Sequence, residues 1–207
     1  MKNNKLTQSI LALVAIAALS AATGTAVHAQ DTVEEYLREY PNLKQVEMME
    51  TWLKENEKGT FRLTGLVDPT DTTVVTPQAT VNYAYNWFSV SDGPAIVRVP
   101  KYDKFSSVSV FDMKHNVPAV IVSPEKPILI KRPGQKIPED DFHIVEMETD
   151  QGLLMTRYVV VDNLDYVMKL REKIVMEGGK GEMTRNVQRF SPETEKNAHA
   201  VMDSGMK

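Results

Sequence analysis

The chain has 207 residues, with 24 basic and 28 acidic side chains, a net charge of −4 and no cysteine. The absence of cysteine excludes disulfides, thiolate metal sites and a cysteine nucleophile. The acidic balance argues against nucleic acid as a partner, because phosphate contacts need a basic surface. The fold must therefore be held by its own hydrophobic core, which a chain of this length can supply.

Residues 1–29 have the three-part pattern of a secretory signal peptide. A start with two lysines is followed by an apolar run over 10–22, and Val27 and Ala29 occupy the positions that signal peptidase reads. The apolar run is shorter than the roughly 20 residues of a membrane span, which disfavours an uncleaved anchor. We expect export to the periplasm or out of the cell, cleavage before Gln30, and no membrane span afterwards. The chain without its two signal lysines has 22 basic and 28 acidic residues, a net charge of −6.

Residues 30–59 are predicted to form an N-terminal helical segment. The Tyr40-Pro41 pair is expected to end a first helix, and Pro41 then suits the first turn of a second one. Gly59 is expected to end the second helix. Its apolar residues recur at helical spacing on one face, which predicts packing against a sheet: Leu43, Val46, Met49, Trp52 and Leu53.

Residues 60–178 are predicted to form an antiparallel β-sandwich, jelly-roll-like, with a closing helix over 163–177. Short β-branched and aromatic runs alternate with Pro, Gly and Asp turns, and no helices lie between them, which is typical of sandwiches. The predicted strands are 60–66, 72–76, 80–89, 95–99, 105–112, 118–122, 127–131, 142–148 and 153–161. The predicted fold class is mainly β with flanking N- and C-terminal helices.

Residues 179–207 are predicted to form a polar C-terminal tail. Ser191-Pro192-Glu193 could begin a short helix that extends through Val201. The alternative is a mobile segment.

Strand 80–89 carries an aromatic stripe. Alternation places Val81, Tyr83, Tyr85 and Trp87 on one face of this strand. The stripe could stack on a sugar or another flat ligand. The alternative, which most aromatic stripes follow, is packing in the sandwich core or beneath the N-terminal helices.

Two arginines, Arg98 and Arg157, interrupt apolar strands. Arg157 lies between Met155 and Val159 on one strand face. A charge in such a position is costly unless it is paired. Arg157 therefore either meets a buried carboxylate or lines a cavity that binds an anion.

The loop after strand 105–112 carries a possible acid/base pair. Asp112 and His115, three residues apart, could exchange protons or bind a metal ion, and Asn116 is a further candidate ligand contact. The chain lacks the common hydrolase motifs and a phosphate-binding glycine loop. The methionines are scattered over apolar positions, which predicts core packing rather than copper binding. No cofactor or resident metal is expected.

Several motifs occur in an order that resembles a known family. They are Thr76-Pro77-Gln78, Val81-Asn82-Tyr83-Ala84-Tyr85-Asn86-Trp87, Val90-Ser91-Asp92-Gly93-Pro94, Ile96-Val97-Arg98-Val99-Pro100, the run from Phe105 to Asp112, and Arg157-Tyr158-Val159-Val160 with Asp165. Together, over 76–177, they resemble the domain-of-unknown-function 1254 family. The resemblance implies a β-sandwich in bacterial, often exported, proteins that commonly carry a second domain of the 1214 type. This chain is expected to lack that second domain, so a separately encoded partner domain is one expectation.

These observations predict an exported module of unassigned activity that binds a small ligand or a protein partner. The residues expected to contact the ligand are Tyr83, Tyr85, Trp87, Arg98, Asn116 and Arg157. The alternative is a degradative, hydrolase-like enzyme, metal-assisted in one version, that uses Asp112 and His115. The sequence leaves open whether the chain is an enzyme.

Overall fold

The computed structural model describes residues 32–68, 70 and 78–205. Within these residues, nine strands form two sheets, and three helices accompany them. The elements in chain order are α1 (Val33–Glu55), β1 (Arg62–Leu63), β2 (Val81–Ser89), β3 (Ala95–Arg98), β4 (Ser106–Asp112), β5 (Ala119–Val122), β6 (Ile128–Lys131), β7 (His143–Glu146), β8 (Gln151–Val159), α2 (Leu164–Arg171), β9 (Val175–Glu177) and α3 (Pro192–Gly205). The predicted signal peptide and the predicted strand over 72–76 lie outside the described residues.

The two sheets have different sizes and pairing. The five-stranded sheet has the order β1-β2-β8-β4-β5, and all its pairs are antiparallel. The four-stranded sheet has the order β7-β6-β3-β9, with one parallel pair, β6 and β7. The prediction of a mainly β fold with flanking N- and C-terminal helices is confirmed.

Strand alternation determines which side chains form the core between the sheets. Ala84 and Phe88 of β2 and Leu154 of β8 point to the inner face of the five-stranded sheet. They pack in one cluster with Val97 of β3 and Ile130 of β6 from the other sheet. All five side chains are fully buried. The inner faces of the two sheets therefore supply the main hydrophobic core.

The outer face of the five-stranded sheet is partly covered by α1. Val46, Met49 and Trp52 of this helix pack with Trp87 of β2 and with Met113. The predicted packing of the helix on a sheet is confirmed.

The described residues fall into two compact units, one of residues 41–187 and one of residues 32–40 with 188–205. In the smaller unit, the ring of Tyr36 packs edge-on against Phe190 at a centroid distance of 5.2 Å. The Tyr36 hydroxyl lies 3.3 Å from Nε2 of His199 on α3. Both contacts connect α1 to the segment that contains α3.

The predicted helix break at Tyr40-Pro41 is wrong, because α1 continues through Pro41. Proline within a helix costs roughly 3 kcal/mol through a lost N–H donor and a clash with the preceding turn. Packing on both sides of Pro41 offsets that cost. Tyr36 contacts Phe190 before the proline, and Met49 and Trp52 are buried after it.

The predicted closing helix over 163–177 is too long. The helix ends at Arg171, and Val175–Glu177 forms strand β9, in which Val175 pairs with Arg98 of β3. Met176 is buried while Val175 and Glu177 are exposed, which is a strand pattern. An open edge of β3 therefore overrides the local helical pattern.

The C-terminal helix α3 confirms the first of the two alternatives for the tail. Its N-terminus is capped by Ser191, whose Oγ accepts a hydrogen bond from the Thr194 backbone N–H at 3.1 Å. No helix in the described part of the chain is long and apolar enough to cross a membrane.

Candidate functional site

The aromatic stripe of β2 lies on the outer face of the five-stranded sheet. The Trp52 ring of α1 lies 4.9 Å from the Tyr85 ring and 6.5 Å from the Trp87 ring, centroid to centroid. The Tyr83 and Tyr85 rings stack at 5.7 Å with an interplanar angle of 13°. Packing beneath α1 therefore accounts for Tyr85 and Trp87, while Tyr83 lies towards the other end of the strand.

Arg157 of β8 lies directly opposite Tyr83 on the same outer face. Its Nη1 donates a hydrogen bond to Oγ of Ser109 at 3.3 Å, and its guanidinium carbon lies 6.0 Å from the centre of the Tyr83 ring. Among the described residues, no carboxylate forms an ion pair with Arg157. The half-buried guanidinium is thus held by neutral partners, which leaves its remaining donors for an anion.

Two exposed valines of the edge strand β5 continue this surface. Val120 lies opposite Ser109 and Val122 lies opposite Ser107, so both side chains share the outer face with Arg157. Their exposed fractions are 58% and 57%. Arg157, Ser107, Ser109, Val120 and Val122 are called the Arg157 patch below.

The Arg157 patch combines one cation with apolar surface. A charge-assisted hydrogen bond contributes about 1.5–3 kcal/mol, and each buried methylene contributes about 0.8 kcal/mol. A carboxylate that makes one such bond and buries two or three methylenes gains roughly 4 kcal/mol, and the entropy cost of association offsets part of this gain, so binding should be weak. The patch is therefore suited to small anions with an apolar body.

Asp112 is fully buried and accepts three hydrogen bonds within its own turn. Its Oδ1 accepts from the backbone N–H of Lys114 at 2.8 Å and of Asn116 at 2.9 Å. Its Oδ2 accepts from Nδ2 of Asn116 at 3.0 Å. These bonds fix the turn between β4 and β5, in which His115 has a positive φ of 65°. Asp112 and Asn116 thus have a structural role that is independent of any ligand.

His115 faces away from this network. Its exposed ring places Nε2 2.9 Å from Oδ1 of Asn42 on α1, and Nη2 of Arg185 donates to the same oxygen at 3.1 Å. No hydrogen bond joins the side chains of Asp112 and His115 in the described structure. The acid/base pair stays a prediction that this geometry does not favour. In the same described ranges, no group of three or more His, Asp or Glu side chains could hold a metal ion.

Arg98 lies on the four-stranded sheet and, unlike Arg157, pairs with a surface carboxylate. Its Nε donates to Oε1 of Glu177 at 3.0 Å, and both side chains are about half exposed. Of the six residues predicted to contact a ligand, the structure brings Tyr83, Tyr85, Trp87 and Arg157 to one face. It places Arg98 on the other sheet and Asn116 in the turn after β4.

Arg171 is a buried polar residue that the sequence analysis missed. It ends α2, is 3% exposed, and donates from Nη1 to the backbone oxygen of Tyr83. Burial lowers the pKa of its guanidinium and raises the pKa of the Tyr158 hydroxyl. The signal was its spacing, because Arg171 follows the core residue Val167 by four positions and therefore shares its helix face.

A cleft of about 510 Å³ lies at the N-terminal end of α2. Leu66, Val160 and Leu164 form apolar walls, and the exposed carboxylates of Asp162 and Asp165 line its rim. A cation would meet the positive end of the helix dipole there, and an anion would meet the two carboxylates. The helix dipole and the two carboxylates therefore favour ligands of opposite charge, whereas the Arg157 patch presents a single cation.

The two sheets, the core between them and the flanking helices define a β-sandwich module. The sequence profile described as "Protein of unknown function (DUF1254)" matches residues 59–178, more than half of the chain. The chain belongs to this family, as the motifs in its sequence indicated.

The crystal structure of the VPA0106 protein from Vibrio parahaemolyticus is similar in fold to this chain. The two share 16% sequence identity with a TM-score of 0.55, over 73% of this chain and 39% of that chain. The likeness concerns the fold alone, and the match spans well under half of the Vibrio chain. No curated protein matches this chain significantly.

Proposed function

We propose that the chain is an exported binding module whose Arg157 patch binds a small carboxylate with an apolar body. The observation that carries the proposal is the half-buried guanidinium of Arg157. It has a serine hydroxyl as its hydrogen-bond partner, and it lies on the face that exposes Val120 and Val122. Export rests on the signal-peptide pattern of residues 1–29.

Charge and shape favour a carboxylate over the flat sugar that the aromatic stripe suggested. A sugar would need an accessible ring to stack on, whereas Trp87 and Tyr83 are buried. An arginine presents paired donors that match the two oxygens of a carboxylate. The exposed valines then offer an apolar contact beside the charged group.

A protein partner is the second form of the proposal. The strand β5 is an edge of its sheet, and its exposed valines could receive an apolar segment that carries an acidic residue. A separately encoded domain would be such a partner. Asp112 and His115, the residues of the enzyme alternative, are not joined in the described structure, so we propose no reaction for them.

Thermal unfolding of the full chain with benzoate tests the proposal, because bound ligand stabilises the folded state. At about ten times its Kd, benzoate should raise the free energy of unfolding by roughly 1.4 kcal/mol. Benzamide, which has a similar shape without the charge, should have little effect. Arg157→Ala should abolish the benzoate shift.

Arg98→Ala is the matched control, because Arg98 is also a strand arginine but is paired with Glu177. This variant should keep the benzoate shift of the wild-type protein. Equal shifts in the wild-type and Arg157→Ala proteins would contradict the assignment to the patch. Absence of any shift would contradict the small-ligand form and direct attention to the protein-partner form.

A further inference from the structure

One sheet edge, the strand β5, differs from the other three in having no charged side chain. The strands β1, β5, β7 and β9 end the two described sheets. Three of them are charged, through Arg62 in β1, Glu146 in β7 and Glu177 in β9. Charged side chains on an edge strand protect it against pairing with another chain. The sequence of β5, Ala119–Val122, lacks that protection.

The backbone of β5 directs the hydrogen-bonding groups of two residues to the open edge. On the side of β4, the Ser123 N–H donates to the Ser106 oxygen at 2.9 Å. Because hydrogen-bonded residues alternate along an antiparallel strand, Ile121 also bonds towards β4. Val120 and Val122 therefore direct their N–H and C=O groups away from β4, and no described strand pairs with β5 on that side.

The sequence around β5 is symmetric about Ile121. Val120 and Val122 flank this residue, and Pro118 and Pro124 follow at equal distances on either side. When two copies pair antiparallel about Ile121, Val120 of each copy lies opposite Val122 of the other. Each such pair exchanges two hydrogen bonds, so the outward N–H and C=O groups of both copies are satisfied. A register shifted by two residues would set a proline, which has no N–H, opposite a valine.

We propose that β5 pairs antiparallel with β5 of a second copy of this chain, with Ile121 on the two-fold axis. A two-fold contact uses the same surface on both copies, so that surface must be complementary to itself. The spacing of Val120 and Val122 about Ile121 meets this condition. The valine side chains, which are 58% and 57% exposed, then lie beside those of the other copy.

The charges on either side of β5 agree with this register. No Asp, Glu, Lys or Arg lies between Lys114 and Glu125, so no like charges meet at the axis. Antiparallel pairing brings Glu125 of one copy to the end of β5 at which the other copy carries Lys114, and these charges attract. The two nearest lysines have exposed partners in their own chain, Lys114 in Glu148 and Lys126 in Asp141.

The contact leaves the Arg157 patch open and is small. The two-fold axis runs perpendicular to the sheet, so the outer faces of both copies, with their Arg157 patches, lie on one side. A second copy thus competes with a separate protein partner for β5 but not with a small ligand. The paired strands have four residues each, a length of about 13 Å. Such a contact is smaller than stable dimers need, so the dimer should form at roughly 0.1–1 mM.

Amide hydrogen exchange of the ¹⁵N-labelled full chain at two concentrations tests the proposal. The amides of Val120 and Val122 should exchange at least about twofold more slowly at about 1 mM than at about 0.05 mM, because pairing protects them. The Ser123 amide, which bonds within its own chain, should exchange at the same rate in both samples. Analytical ultracentrifugation should show a mean mass that rises towards two chains with concentration.

Val120→Lys should abolish the rise in mass, because it places a charge at the paired edge. Val175→Lys is the matched control, since Val175 is an exposed valine on the edge strand β9, and it should dimerise like the wild-type protein. Val120→Pro removes an outward N–H and should also weaken the dimer. Arg157→Ala should leave the dimer unchanged, which separates this proposal from ligand binding at the Arg157 patch.

Three results would overturn the proposal. The first is a wild-type chain that stays monomeric up to about 1 mM, the range expected for so small a contact. The second is a rise in mass that both Val120 variants retain. The third is protection that depends on concentration at other amides and not at Val120 and Val122.

Discussion

Three arginines of the chain differ in their burial and in the groups to which they are bonded. Arg98 lies at the surface and pairs with Glu177. Arg157 is half-buried and bonds to Ser109, while Arg171 is buried and bonds to a backbone oxygen. An exposed pair contributes little to stability, whereas an arginine without a carboxylate keeps its charge available for a ligand. We therefore propose that a ligand binds at Arg157 and not at Arg98.

Asp112→Ala should destabilise the fold strongly. The substitution leaves two backbone N–H groups of the turn without their acceptor, which should lower the free energy of unfolding by about 2–4 kcal/mol in urea denaturation. Asp141→Ala is the control, because Asp141 forms an exposed pair with Lys126 and its loss should cost less than about 1 kcal/mol. Small and equal effects of both substitutions would contradict the structural role of Asp112.

Tyr158 should make stability fall at alkaline pH. Burial raises its pKa in the folded chain, while the unfolded chain ionises it near pH 10. The contribution of Tyr158 to the free energy of unfolding is therefore fully present below about pH 10. It is lost as pH rises above that value, by up to about 1.4 kcal/mol per pH unit. Urea denaturation between about pH 9 and about pH 11.5 spans this ionisation. The free energy of unfolding should decline more steeply with pH for the wild-type protein than for Tyr158→Phe. Equal slopes would rule out this role.

At the scale of elements, the helix α1 depends on its contacts with the sheet. Trp52→Ala removes the ring that packs against Tyr85 and Trp87. It should lower the free energy of unfolding by about 3–5 kcal/mol in urea denaturation. Lys54→Ala, at an exposed position of the same helix, should change it by less than about 0.5 kcal/mol. A loss below about 1 kcal/mol for Trp52→Ala would show that α1 does not need this contact.

The strand β8 requires glycine at position 152. A Cβ there would lie 2.6 Å from the backbone oxygen of Phe111 and 2.6 Å from Cε of Met147. Gly152→Ala should therefore cost about 1–3 kcal/mol through overpacking. Gly65→Ala is the control, because a Cβ at Gly65 meets nothing within 4 Å. Thermal unfolding of the two variants would contradict this account if their melting temperatures were equal.

The sequence predicted those elements in which apolar or aromatic residues recur at the regular spacing of a strand or a helix. The alternation in β2 predicted the common face of Tyr83, Tyr85 and Trp87, and the spacing in α1 predicted its buried face. Pro41 and the end of α2 could not be predicted in this way, because distant packing and the open edge of β3 decide them. The opposition of Tyr83 and Arg157 follows from strand register, which residues far apart in sequence set.

At the scale of the whole molecule, export should remove residues 1–29. Full-length protein produced in a bacterial host should be recovered from the periplasm or the medium with Gln30 as its first residue, as measured by intact mass and N-terminal sequencing. Ala29→Leu should block cleavage, because signal peptidase requires a small residue there. Recovery of the wild-type chain in the cytoplasm with Met1 retained would contradict export.

Above all, we propose that the Arg157 patch is a ligand-binding surface. Titration of the ¹⁵N-labelled full chain with benzoate, followed by amide NMR, tests it most directly. We predict that the largest shift changes occur at the amides of Ser107, Ser109, Val120, Val122 and Arg157, and that Arg157→Ala removes them. Shift changes confined to the four-stranded sheet or to the turn after Asp112, or no saturable change at all, would contradict the claim.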